Sequence, residues 1–346
     1  MTTVFLTHPP GPLARYYGPR AVAALREIAD VRFNPEPREL TIDELVAAAR
    51  DCELMIGYRG TPGSERLFRE LPRLAAFMRC AVDISTVDVA AASANGVLVT
   101  QASPGFVAAV AEWVVATMIA LGRGIVADAE SYHRGETPSP SMGRELCGAT
   151  IGVIGYGRIA QSVCRLASAF GMRVAVAAPE KIGARHGVHQ MALDDLLAEA
   201  HFVVCLAVSD ENTRNLMDGA AFARMAPGAF FVNASRGELV DEDALLAALA
   251  SGRLAGAALD VGRAPDQMPS PALARHPRVI ATPHIAGLTL PAIEHQSMET
   301  VSQVASLLRG EMPTGAVNAG HATRIRLWPA FAGARTSATP NSRRSS

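Results

Sequence analysis

The chain has 346 residues, too many for one comfortable hydrophobic core, so two domains are expected. Hydrophobic residues make up 49% and charged residues 19%, which excludes a chain that is disordered throughout. A formal net charge of −1 excludes a strongly basic nucleic-acid scaffold.

In chain order, residues 3–7, 53–58, 74–82 and 97–100 read as strands, and 18–30, 42–50 and 87–94 as helices, the last ended by Asn95-Gly96. Strands alternating with helices predict a parallel sheet covered on both faces. The opening residues carry no basic segment followed by a long apolar one, so no signal peptide is expected. Residues 107–125 predict one long apolar helix, interrupted only by Glu112, Thr117 and the 122–124 stretch. Its uncharged part, from Trp113 to Leu121, is half a membrane span, so no membrane partner is expected. Residues 131–141 are rich in Pro, Ser and Gly and read as a surface loop.

A second series of alternating elements follows. Its strands are expected at 150–155, 173–178, 202–208, 230–234, 255–261 and 279–281. Helices between them include 158–170, closed by Gly171, and 241–251, opened by Asp241 and closed by Gly252. Residues 319–346 hold five arginines and no acid, and by composition they read as a disordered tail. Leu327-Trp328-Pro329 is the one stretch in it suited to docking on the body.

Five cysteines, never closer than 17 residues apart, offer no CxxC, no zinc knuckle and no disulfide framework. That predicts no metal site and a soluble protein of the reducing cytoplasm. Of 32 basic residues 31 are arginine, and the sole lysine, Lys181, precedes Ile182, so a phosphate-binding Gly-Lys-Ser/Thr loop is absent. GxSxG and HExxH are also missing, which removes the serine-hydrolase and zinc-protease readings.

The most informative segment is Gly155-Tyr156-Gly157-Arg158-Ile159-Ala160, placed between an apolar strand and a helix. The first glycine permits a tight turn, the second lets backbone approach a pyrophosphate, and the third position needs only a small residue. A bare match of this kind is weak; here strand, turn, helix and following strand all have suitable lengths. A dinucleotide cofactor, NAD with NADP as second candidate, is the expectation.

From there the chain resembles the D-isomer-specific 2-hydroxyacid dehydrogenases, phosphoglycerate and glycerate dehydrogenases among them. The resemblance covers residues 1–318 and is carried by the glycine loop and by Asn233-Ala234-Ser235-Arg236-Gly237. Gly256-Ala257-Ala258-Leu259-Asp260-Val261, Thr282-Pro283-His284-Ile285-Ala286-Gly287 and Val110-Ala111-Glu112 complete it. It implies an α/β protein of two doubly wound parallel-sheet domains. A Rossmann nucleotide domain (105–287) would be inserted in a flavodoxin-like substrate domain (1–104 and 288–318), ahead of the tail (319–346). A homodimer through the nucleotide domain and its preceding helix is implied as well.

The resemblance further implies hydride transfer between NAD(P)H and a small anionic 2-oxo or 2-hydroxy acid. Arg236 would hold the substrate carboxylate, as a planar, always charged guanidinium suits. His284 would exchange a proton with the substrate oxygen, as a group titrating near neutrality suits. Gly155, Gly157, Arg158, Ile159, Ala178, Ala234, Ser235, Arg236, Asp260, His284 and Gly287 fall at cofactor positions, and Arg59, Val82 and Asp83 at substrate positions.

Three departures stand out. Ala178 occupies the place of the acid that bonds the adenosine ribose, with Lys181 and Arg185 just beyond, suited to a 2′-phosphate. Ala81 and Asp83 replace glycines of the carboxylate-binding loop, where an acid either repels an anionic substrate or points to solvent. Pro265 takes the place of the histidine's acidic partner, with Asp266 one step late, so Asp266 either reaches His284 or leaves it unpaired. The alternative function is a dinucleotide-binding sensor or corepressor-like protein with little turnover, which the departures favour and the joint presence of Arg236 and His284 opposes.

Overall fold

A computed structural model describes residues 1–183 and 187–332, apart from the side chains of Asp266 and Ala332. The chain forms two compact units, one from Met1–Gly105 with Leu290 onward, the other from Phe106–Thr289.

In the first unit, β1 (Thr3–Leu6), β2 (Asp30–Phe33), β3 (Leu54–Gly57), β4 (Ala76–Arg79) and β5 (Leu98–Gln101) form a parallel sheet of order β2-β1-β3-β4-β5. This is the flavodoxin-like order. Alternate residues feed two cores. Val4, Leu6, Leu54 and Ile56 pack with Leu25, Val304 and Leu307, whereas Phe5, Met55 and Phe77 pack with Leu45, Leu67 and Phe68. Burial on both faces is why these strands read as continuous apolar runs rather than alternating ones. The free edge of β5 is covered by the returning chain: Gln101 N–H donates to Gly315 O, and the Asn318 side chain bonds both Val97 O and Val99 N–H.

In the second unit, β6 (Thr150–Ile154), β7 (Arg173–Ala177), β8 (Val188–Gln190), β9 (Phe202–Cys205), β10 (Ala229–Asn233), β11 (Leu254–Leu259) and β12 (Val279–Ala281) form a parallel sheet of order β12-β11-β10-β9-β6-β7-β8. Connectivity reverses between β6 and β9, the switch point at which doubly wound sheets open a ligand crevice beyond their carboxyl ends. The helix Val107–Arg123 packs Ala111, Val114 and Met118 against this sheet beside Ala160, Val163 and Ala167 of the helix Arg158–Ala169.

The structure differs from expectation in places with physical causes. The helix expected over 107–125 stops at Arg123, because Gly124 adopts φ +65°, and a second helix, Ile125–His133, leaves at 70°. That second helix also takes the first residues of the expected 131–141 loop. Among the described residues no single helix is long and apolar enough to cross a membrane. The strands β2 and β8 and the helix Pro10–Tyr16 were not expected.

The tail requires the largest correction. Residues 319–332 are ordered on the first unit: Ala322 and Ile325 are fully buried, and Trp328 and Phe331 pack against the same core. Arg324 donates to the carbonyl oxygens of Leu71 (2.7 Å), Leu74 (2.9 Å) and Phe68 (3.0 Å), in and just beyond the last turn of the helix Glu65–Glu70. A composition count misses this, because one arginine in a backbone pocket counts the same as one in water. Residues 333–346 and Arg185 lie outside the described residues.

Candidate active site

The glycine loop leaves β6 at the switch point. Gly155 has φ +91°, and a Cβ there would stand 2.7 Å from Leu206 O and 2.8 Å from Ala207 Cα, so glycine is required by conformation and by space. A Cβ on Gly157 would meet nothing within 4 Å, leaving open room on the loop. The helix Arg158–Ala169 starts at Gly157 without a side-chain cap, with Arg158 exposed, Ile159 half-buried and Ala160 fully buried. An uncapped amino-terminal turn beside open space suits a pyrophosphate.

At the end of β7 the Ala178 side chain offers no acceptor. The 178–182 loop is shaped instead by Gln190, which donates to Ala178 O (3.0 Å) and Glu180 O (2.8 Å) and accepts from Ile182 N–H (3.0 Å). These residues fit a dinucleotide at its pyrophosphate and supply no acid for its ribose at position 178.

Asn233, last in β10 and buried, organises the next turn. Its Oδ1 accepts from Ser235 N–H and its Nδ2 donates to Arg236 O, while Ser235 Oγ donates to Ala207 O (2.6 Å). The turn leaves Ala234, Ser235 and Arg236 half-buried at the sheet edge. Gly237 follows because a Cβ there would overlap the Gly262 backbone.

Asp260 ends β11 and is 2% exposed. Its Oδ1 accepts from Thr282 Oγ1 (2.6 Å) and Ile285 N–H (2.8 Å), and its Oδ2 from Ala286 N–H (2.8 Å). Its own carbonyl accepts from His284 N–H (3.0 Å). His284 sits at φ +55°, a left-handed conformation that costs a residue with a Cβ about 1–2 kcal/mol. The Asp260 bonds on both sides hold it there. The His284 side chain is half-buried. A Cβ on Gly287 would stand 3.1 Å from Phe106 Cβ, tighter than ordinary van der Waals contact. Asp266 falls in the turn Pro265–Gln267, and its side chain lies outside the described residues.

Gly155, Gly157, Ala178, Ala234, Ser235, Arg236, Asp260 and His284 are therefore gathered at the carboxyl edge of one sheet. Sequence reasoning missed the roles of Asn233 and Gln190; Asn233 stood in a quoted motif, and Gln190 carried no signal. Burial pushes the thiol of Cys205, beside the loop, up to about 12, which keeps it protonated at neutral pH. A cavity of about 630 Å³ opens on this unit among Gly122, Arg144, Cys147, His201 and Phe230 and holds none of the candidate residues.

In the first unit, exposed Arg59 follows β3, and half-buried Val82 with exposed Asp83 follows β4. Asp83 Oδ1 accepts from Ser85 N–H (2.8 Å), so part of this carboxylate is tied into its own turn.

Residues 115–286 match the family model described as D-isomer specific 2-hydroxyacid dehydrogenase, NAD binding domain. The D-3-phosphoglycerate dehydrogenase of Mycobacterium bovis is 35% identical over 312 residues, 89% of this chain and 58% of that one. The Rattus norvegicus enzyme of the same name is 33% identical over 290 residues, 82% of this chain and 54% of that one. The chain thus spans little more than half the length of the curated relatives it matches. The structure of a D-lactate dehydrogenase with NAD+ from Lactobacillus jensenii superposes with a TM-score of 0.79 at 24% identity, covering 91% of this chain and 99% of that one, and shows the shared fold. With glycine loop, switch point, arginine turn and histidine loop on one edge, the chain belongs to the D-isomer specific 2-hydroxyacid dehydrogenase family and carries its NAD-binding domain.

Proposed function

We propose that the protein is an NAD-dependent oxidoreductase of small 2-oxo or 2-hydroxy acids. The observation that carries this reading is the buried Asp260 carboxylate holding His284 in a left-handed conformation, on the sheet edge that also bears Arg236 and the glycine loop. Backbone strain maintained by a buried charge is characteristic of a functional position.

In this reading Arg236 binds the substrate carboxylate and polarises the adjacent carbonyl, and His284 donates a proton to the substrate oxygen during reduction and removes it during oxidation. Bound NADH supplies the hydride. The glycine loop and the first turn of Arg158–Ala169 hold the pyrophosphate, and Ala234, Ser235 and Gly287 line the cofactor. Asp260 then acts through the 282–286 loop, accepting from Thr282 Oγ1, Ile285 N–H and Ala286 N–H. Arg59, Val82 and Asp83 belong to the substrate loops of the first unit. With no acid at position 178, NADPH is accepted alongside NADH.

A homodimer through the second unit goes with this reading, supported by the exposed apolar side chains of Ile125, Tyr132 and Met142. Five free thiols accord with a reducing cytoplasm. A panel of 2-oxo acids assayed with NADH and with NADPH tests the function. Saturable oxidation of either cofactor by at least one acid is expected; cofactor binding without turnover on any acid would overturn it in favour of a sensor.

A further inference from the structure

The last residue of β4, Arg79, is 2% exposed. Burying a guanidinium costs several kcal/mol unless its donors find acceptors. The acceptors here are main-chain carbonyls on two loops: Nε donates to Asp83 O (3.1 Å), and the two terminal nitrogens donate to Tyr58 O and Arg59 O. Because β3 and β4 are neighbours with Gly57 opposite Arg79, the loops that follow them start side by side. One side chain reaches both.

From this geometry we infer that Arg79 is the positioning residue for the substrate loops, clamping the Tyr58–Arg59 and Cys80–Thr86 segments in one arrangement. In a planar trans peptide the N–H points opposite to the C=O. Drawing the carbonyls of Tyr58, Arg59 and Asp83 onto the guanidinium therefore turns the N–H groups of Arg59, Gly60 and Ile84 away from it. Loops whose carbonyls point inward and whose amides point outward suit an anionic ligand.

The same clamp accounts for an acid at position 83. Asp83 keeps its carbonyl on Arg79, its Oδ1 on Ser85 N–H, and its charge near the buried guanidinium, where it offsets the burial that lowers the Arg79 pKa. Arg79 also has a neighbour suited to a fixed cation. His8, fully buried against the rings of Tyr17 and Tyr58, is held neutral by burial and by the Arg79 charge.

The substrate role rests on the proposed function, and the experiment separates the two. Arg79→Gln and Arg79→Lys are compared with wild type by amide hydrogen exchange and by kinetics on the best 2-oxo acid with NADH. Exchange in peptides covering 58–61 and 80–86 should rise together by at least about tenfold in Arg79→Gln, with β5 unchanged. KM for the acid should rise about tenfold, with kcat and the NADH Kd within twofold, and Arg79→Lys should recover part of the loss. In a double-mutant cycle with Arg59→Ala, the double variant should be no worse than the weaker single variant.

Loops that exchange at the wild-type rate overturn the inference whether or not the protein turns over. So do disordered loops with an unchanged KM, or an equal loss of NADH affinity. If Arg79→Gln does not fold, Arg79→Lys alone decides, by the same two readouts at smaller size. Absence of wild-type turnover on every acid defeats the proposed function and with it the substrate role; the exchange data still decide the clamp.

Discussion

The two sheets present their carboxyl edges in opposite electrostatic fashion. In the second unit a buried carboxylate, Asp260, gathers backbone N–H groups of Ile285 and Ala286 and the Thr282 hydroxyl. In the first a buried guanidinium, Arg79, gathers backbone carbonyls of Tyr58, Arg59 and Asp83. Each charge is satisfied mostly by main chain, so each orders a loop instead of forming a surface ion pair of small worth. The anion holds a loop around a strained histidine, and the cation leaves amides facing outward. The difference teaches that one architecture can order a loop at the carboxyl edge of each sheet with a buried charge of either sign, drawing in backbone amides at one and backbone carbonyls at the other.

Replacing the organiser of the second unit should have the largest effect. Asp260→Asn keeps the shape but loses an acceptor for one of the three donors, so His284 should be misplaced. A loss of about 10²–10⁴-fold in kcat/KM is expected, the range for a lost general acid. Steady-state kinetics check it, and a value within threefold of wild type would remove Asp260 from the positioning of His284.

The first unit should be the acid-sensitive one. The His8 pKa is lowered to about 3, first by burial and then by the Arg79 charge. A histidine with a depressed folded pKa stabilises above its unfolded value of about 6.5, and that contribution is lost as pH falls from 6.5 toward 3. The expected slope is about 1.4 kcal/mol per pH unit below 6.5. Denaturant melts between pH 7 and 4.5 should show it for wild type, and His8→Phe should flatten the curve.

Ending the chain at Asn318 removes buried Ala322 and Ile325 and the Arg324 bonds. About 2–4 kcal/mol of stability should be lost with them. Calorimetry of this truncation should show a melting temperature lower by several degrees. The smallest effect on stability concerns His284→Gly, which relieves the positive φ and should raise stability by about 1 kcal/mol. An unchanged melting temperature would show that the strain is negligible.

Legibility in the sequence followed the strength of the physical constraint. The glycine loop was readable because Gly155 and Gly157 meet demands on φ and space that few other residues meet. The placement of Arg236, Asp260 and His284 at the sheet edge was readable because each follows an apolar strand inside a longer motif. Strand β2 was not, since Asp-Val-Arg-Phe at a sheet edge alternates between half-buried and exposed residues and looks like the end of the preceding helix. Strand β8 has three residues, too few for any period to show. Arg79 was not legible as a buried residue, because one arginine among 31 carries no mark of burial. The ordering of 319–332 was hidden for the same reason.

The central claim, that Arg236 and His284 serve reduction of a 2-oxo acid by bound NADH, is tested most directly by Arg236→Lys. Lysine keeps the charge and loses the planar, two-point geometry. The account predicts that kcat/KM on the best acid falls by at least about 100-fold, roughly 2.7 kcal/mol, while the fluorescence-measured Kd for NADH stays within twofold of wild type. Wild-type kcat/KM in this variant would contradict it.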